Sequence, residues 1–401
     1  MTMRAADRPL HILGLSRTLP FHSIGGMQAI AWDVFRALAQ QGHRVTVLTT
    51  AIPGRDAPFE MDGVQVQPLA EAAPERYSAA WWRASDEAAL RLHSQAPVSA
   101  VLSISAAAAE MPRFRVAAPD TPFVFQAHGT SWGEFQSKWR SGQPLQWLKS
   151  LKNLFWLFKD ARIYRRFDHI ALCGDVLAQQ FSSWPMPWVA GSVPRAVIRN
   201  GIDPLRFKPD AAAATAARAR LGIPDASPLV VFAARLHPQK GARQLLQAFD
   251  RLAARDAAPH LLIIGGGEDE ATLRAAAQDS PHASRIHFTG AVDRGDMPGL
   301  LAAGQVFAFP SLRQEGLPMN VLEALACGLP GVVSESMRPV FLPSLGLTYC
   351  EPRDPEALAA ALAAALASHS PGAAARSRLT PEYALPECAQ AYARLLAQPK
   401  A

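Results

Sequence analysis

Two carboxylates, Glu315 and Glu323, lie in the stretch Pro310-Ser311-Leu312-Arg313-Gln314-Glu315-Gly316-Leu317-Pro318-Met319-Asn320-Val321-Leu322-Glu323-Ala324-Leu325-Ala326-Cys327-Gly328-Leu329-Pro330. Carboxylates accept hydrogen bonds from sugar hydroxyls, and this spacing offers them at two depths: Glu315 on a loop, Glu323 about a turn and a half inside the helix that follows. The same pair would also serve simply to complement a helix dipole. Pro318 fits the first helical turn, and Gly328 with Pro330 fits its stop. The helix start leaves amide N–H groups unpaired beside Gly316, which suits an anion such as phosphate.

Cations of the right kind stand elsewhere at similar places. Leu229 to Ala233 reads as a buried strand that ends in Arg235, and Lys240-Gly241 precedes a helix running to Arg255. An arginine fork and a lysine point charge at a strand-to-helix crossing can clamp a diphosphate, or can be ordinary surface charges. His128 follows the strand Pro122 to Phe125, at the carboxyl end where open α/β sheets bind ligands. Gly25 and Gly26 join the strand Leu10 to Leu15 to the helix Met27 to Gln40; such a pair admits phosphate oxygens or serves a tight turn. Gly265-Gly266-Gly267 closes the strand Leu261 to Ile264, but the dinucleotide fingerprint fails at its third position, which is Glu270.

The elements that must hold these groups alternate strand and helix. Strands at Val45 to Leu48, Val64 to Val66, Val98 to Ile104, Ile286 to Gly290 and Val306 to Phe309, with helices between, predict an α/β chain of two doubly wound parallel sheets. Pro185, Pro187, Gly191 and Pro194 predict a linker. The expected division is an N-terminal domain over 1–188, a C-terminal domain over 189–381, and a last helix over about 382–401. Every singled-out group lies after a strand, so two such sheets facing each other would collect them in a cleft.

The Glu-x7-Glu stretch, with its Pro-Ser opening and its closing Ala-Cys-Gly-Leu-Pro, resembles the signature of family 4 retaining glycosyltransferases, which have the two-domain GT-B fold. The N-terminal pattern of Gly25, Gly26, Leu38, Gly42, His43 and Val45 is similar to the family's, as are Asn200-Gly201-Ile202-Asp203 and "ARLHPQKG". The resemblance implies donor binding by Gly25, Gly26, Gly267, Ser311, Gly316, Leu317, Pro318 and Met319. It implies that Glu315 meets the donor sugar, Glu323 holds the ribose, Arg235 and Lys240 bind the diphosphate, and His128 lies near the acceptor hydroxyl. It also implies retention of configuration and a C-terminal helix crossing back onto the first domain. Ala234 and Gln239 depart from the usual glycine and acidic residue.

No Asp-x-Asp pair occurs, so the expected transferase needs no metal or other cofactor, and charge on the leaving group falls to Arg235, Lys240 and the helix start. A chain of 401 residues, 49% hydrophobic and 18% charged, is long enough for two full cores. A net charge of +6 suggests an anionic partner, but no nucleic-acid module is present. The apolar run from His11 is too short for a leader or a span, which predicts a cytoplasmic protein. Cys173, Cys327, Cys350 and Cys388 form no paired motif and are expected as reduced thiols. Trp132 to Phe167 interleaves eight cations, among them Lys138, Lys152 and Arg162, with tryptophans and phenylalanines. It reads either as a core helix with a solvated basic face or as a contact with an anionic membrane, hence a possible peripheral location. The expected partners are a nucleoside diphosphate sugar and a glycan or lipid-linked acceptor of a bacterial envelope polysaccharide. Rival readings are a same-fold sugar-nucleotide epimerase, which needs no acceptor, and a non-catalytic nucleotide-binding membrane adaptor, which would release no nucleotide.

Overall fold

The computed structural model describes residues 8–23, 25–139, 156–255, 259–313, 315–368 and 376–400. The chain divides into two units, Met1–Gly201 with Leu385–Ala401, and Ile202–Ala384. Each is built on one sheet.

The first unit holds strands β1 (His11–Ser16), β2 (Arg44–Thr50), β3 (Phe59–Met61), β4 (Val64–Leu69), β5 (Ala100–Ile104), β6 (Phe123–Ala127), β7 (His169–Leu172) and β8 (Arg195–Val197). Their order is β3-β4-β2-β1-β5-β6-β7-β8, parallel throughout except for the β3–β4 pair. β1, β5, β6 and β7 are buried along their whole length. That follows from near-continuous apolar runs, the pattern of strands covered on both faces. Helices α1 (Gly26–Gln40), α2 (Ala79–Gln95), α3 (Pro112–Ala117), α4 (Ser131–Trp139), α5 (156–164), α6 (Asp175–Ser182) and α7 (Met186–Ala190) connect them. The unit closes with α14 (Leu385–Leu396), whose Leu385, Cys388, Ala389, Tyr392 and Leu396 are buried with Val34, Phe35 and Leu38 of α1 in one core.

The second unit has β9 (Leu229–Ala233), β10 (His260–Ile264), β11 (Ile286–Gly290), β12 (Val306–Phe309), β13 (Gly331–Ser334) and β14 (Thr348–Cys350), all parallel in the order β11-β10-β9-β12-β13-β14. Helices α8 (Ala211–Leu221), α9 (Ala242–Arg255), α10 (Glu270–Gln278), α11 (Met297–Ala302), α12 (Met319–Ala326) and α13 (Pro355–Ala367) complete it.

The structure differs from the sequence reading at the linker and at Pro318. The stretch read as a linker carries α7 and β8, and β8 pairs with β7, so the first unit runs on to Gly201 instead of ending at 188. Pro318 caps α12 from outside the helix, with the first helical residue at Met319. In the basic aromatic segment, α5 turns Leu157, Ala161 and Tyr164 into the core while Phe158 remains 66% exposed. The part of that segment at 140–155 lies outside the described residues. All four cysteines are free and buried, and burial pushes the Cys388 thiol up to about 12.

Candidate active site

The carboxyl ends of β9 and β12, neighbours in the second sheet, hold a linked set of side chains. β12 ends in Phe309, and the loop after it returns over the turn between β9 and α9: Leu312 N donates to Gln239 O at 2.9 Å. Gly241 makes this packing possible. Its φ is +82°, and a Cβ there would stand 1.9 Å from the Pro310 carbonyl oxygen, so no other residue fits without moving backbone. The consequence lies one residue earlier, at Lys240.

Lys240 Nζ donates to Glu315 Oε1 at 2.8 Å and stands 5.7 Å from the centre of the Phe309 ring. Glu315 is 8% exposed and also accepts from the Ser311 hydroxyl at 3.0 Å, with Arg313 Nε at 3.6 Å. Ser311 is fully buried, its carbonyl accepting from the Ser334 hydroxyl at 2.6 Å. The serine therefore fixes Glu315 from behind. Arg235 is exposed and, among the described residues, makes no ion pair. A cation without a protein counter-charge beside a lysine with one is suited to an anionic ligand.

Helix α12 begins beside this set. It has no side-chain N-cap and no acidic residue in its first turn, so nothing on the helix offsets the positive end of its dipole. Gly316 faces open space, with no heavy atom within 4 Å of where a Cβ would lie. Asn320, which the sequence reading passed over, ties the helix start to the sheet: its amide donates to Ala233 O at 2.7 Å while its carbonyl accepts from Val321 N at 3.0 Å. Glu323 is half-buried further along the helix. Gly267 has its own structural reason, since a Cβ there would lie 2.3 Å from Leu236 O where the β10 loop crosses the β9 loop. Glu270, which breaks the dinucleotide fingerprint, opens α10 and pairs with Arg274 at 2.8 Å.

His128, Gly25 and Gly26 belong to the first unit. His128 follows β6, half-buried, and loss of water around the charged ring pushes its pKa down to about 4. The ring is neutral at pH 7. Gly25 is extended, and neither it nor Gly26 has a positive φ, so a strained turn does not account for the pair. Gly26 has open space around it, at the uncapped start of α1. Among the described residues, no three His, Cys, Asp or Glu side chains are grouped to hold a metal ion.

Residues 25–201 match the glycosyl transferase 4-like domain, and residues 214–381 match the glycosyl transferases group 1 model. The chain belongs to the GT-B glycosyltransferases. Among its relatives is a GDP-mannose-dependent monoacylated alpha-(1-6)-phosphatidylinositol monomannoside mannosyltransferase of Corynebacterium glutamicum, 36% identical over 144 residues, 34% of this chain and 37% of that one. The chain thus matches little more than a third of that relative's length. A glycogen synthase of Mycobacterium tuberculosis is 26% identical over 93% of this chain and 91% of its own. The starch synthase IV catalytic domain of Arabidopsis thaliana, bound to ADP and acarbose, superposes with a TM-score of 0.68 over 97% of this chain and 99% of its own at 15% identity. In this chain Ala234, which departs from the expected glycine, has its N–H bonded to Ile264 O at 3.0 Å, and Gln239 contributes through its backbone carbonyl.

Proposed function

We propose that this glycosyltransferase moves a sugar, with retention and without a metal ion, from a nucleoside diphosphate sugar to a glycan or lipid-linked acceptor of a bacterial envelope polysaccharide. The observation that carries the reading is the Lys240–Glu315–Ser311 set beside exposed Arg235 and the uncompensated start of α12. As the bond from the anomeric carbon to the diphosphate oxygen breaks, negative charge grows on the leaving group. Fixed cations and oriented amides stabilise that charge with little reorganisation. Lys240, held by a carboxylate, is already in place. The acceptor hydroxyl attacks from the same face, and its proton passes to the departing phosphate oxygen. Glu315 meets the sugar hydroxyls and Glu323 the ribose.

In the first unit, Ser16, Arg17, Thr18, Met27, Tyr77 and Ser105 line a concavity at the ends of β1 and β5. Its arginine lies 5.0 Å over the Tyr77 ring. It offers the acceptor hydroxyl-bearing walls and a cation. The Corynebacterium relative, by its name, uses GDP-mannose on a phosphatidylinositol mannoside, which makes GDP-mannose the first donor to try.

An anionic membrane surface is the proposed second partner. Phe158, Trp184 and Trp188 are 66%, 79% and 52% exposed, and Arg165 donates to Trp188 O at 2.8 Å, which places aromatic rings beside a cation. No helix among the described residues is long and apolar enough to cross a membrane. Replacing the three rings by serine is expected to release the protein from anionic vesicles at moderate salt; unchanged cosedimentation would remove this partner. For the reaction itself, a thermal-shift screen of nucleotide sugars, then incubation of the stabilising donor with lipid extracts, should give free nucleoside diphosphate and a glycosylated product. Product formed without acceptor would point to epimerisation, and stabilisation without release to a silent binder.

A further inference from the structure

His128 does not stand alone. Residues 126 and 128 fall on one side of β6 and its extension, because side chains alternate along a strand. Gln126 is fully buried there, and so is Tyr392 of the closing helix α14. The Gln126 amide nitrogen donates to the Tyr392 phenol oxygen at 2.8 Å, and its carbonyl Oε1 lies 3.1 Å from His128 Nε2. A carboxamide has one donating end and one accepting end. With the donating end spent on Tyr392, the end that remains can only accept.

We propose that Gln126 is a positioning residue, oriented by Tyr392, that holds His128 as the neutral tautomer protonated on Nε2 and leaves Nδ1 as the ring's hydrogen-bond acceptor. The C-terminal segment thereby reaches the reacting region through two side chains, joining α14 to the end of β6. An imidazole with a lone pair on Nδ1 can accept from a sugar hydroxyl; the opposite tautomer would donate there. A buried amide end without a partner would cost about 1–3 kcal/mol, and here both ends have one. This role in turnover rests on the placement of His128 in the proposed reaction. The tautomer does not.

The test is therefore made in two arms. Two-bond nitrogen–proton spectra of the whole protein labelled with 15N-histidine at pH 7.5, with the His128 signals assigned by loss in His128→Ala, read the tautomer directly. The expected result is the Nε2-protonated pattern in the wild type, and a shift toward a mixture in Gln126→Leu. A smaller shift of the same kind is expected in Tyr392→Phe, which keeps the ring in the core. An Nδ1-protonated wild type, or a pattern unmoved in both variants, overturns the proposal.

The second arm is a turnover cycle with the donor found by the nucleotide-sugar screen. Gln126→Leu should lower kcat about 10-fold with the donor KM nearly unchanged, and should change nothing further in a His128→Ala background. Losses that multiply contradict the positioning role even if the tautomer is as expected. If His128→Ala alone leaves turnover intact, the functional reading of His128 fails, while the spectra still decide what Gln126 does.

Discussion

Lys240 and Glu315 hold each other, and that pairing shapes what each substitution should do. Removing Lys240 takes a charge-assisted bond of about 1.5 to 3 kcal/mol from a diphosphate, so Lys240→Ala should reduce turnover roughly 10- to 100-fold. It also strands Glu315, 8% exposed, with Ser311 and the more distant Arg313 as its remaining partners among the described residues. A lower melting temperature in the absence of ligand should accompany the kinetic loss. Glu315→Gln should depress turnover more than nucleotide affinity, and Glu323→Gln the reverse; equal binding losses by calorimetry would remove the distinction. The types of these residues, and the loops that carry them, were legible in the sequence. Their ion pair was not: Lys240 and Glu315 are brought together by the β9–β12 pairing, and linear spacing cannot report such a contact. Asn320 and the contact of Ser311 with Glu315 were hidden for the same reason, since they depend on burial and on the packing of separate loops.

At the scale of elements, the site depends on two loops packed closely enough that one glycine decides their separation. Gly241→Ala places a methyl group against the Pro310 carbonyl at positive φ, which costs roughly 1–2 kcal/mol from the backbone alone and more from the contact. Its melting temperature should fall and its nucleotide affinity with it. Gly316→Ala is the contrasting case. Open space and an ordinary φ predict an unchanged melting temperature, and a fall in donor affinity because the ligand needs that space. Strands such as β9 and β12 were readable to the residue because they are short, wholly apolar and bounded by turn formers. β8 escaped because its three residues are exposed or half-buried and sit among prolines, so neither periodicity nor hydrophobicity marks it. Only the pairing with β7 makes it a strand.

For the molecule as a whole, burial of neutral histidines ties stability to pH. Desolvation holds His11, His43, His128, His260 and His287 below the ordinary value of 6.5, His128 at about 4. Below pH 6.5 the unfolded chain's histidines then bind more protons than the folded one's, so their contribution to stability rises with pH up to that value. The His128 contribution is complete above 6.5 and lost as the pH falls through about 4. His128 contributes up to about 3 kcal/mol of this, and His128→Gln should flatten the acid limb of a melting-temperature profile. The central claim is that fixed cations and peptide dipoles bind the donor's diphosphate. Calorimetric titration of GDP-mannose, and of the other nucleotide sugars in turn, into wild type and Lys240→Ala in EDTA tests it most directly. The account predicts that one donor binds the wild type at full strength in EDTA and the variant at least 10-fold more weakly. Equal binding by both proteins, or binding that appears only when a divalent ion is restored, would contradict it.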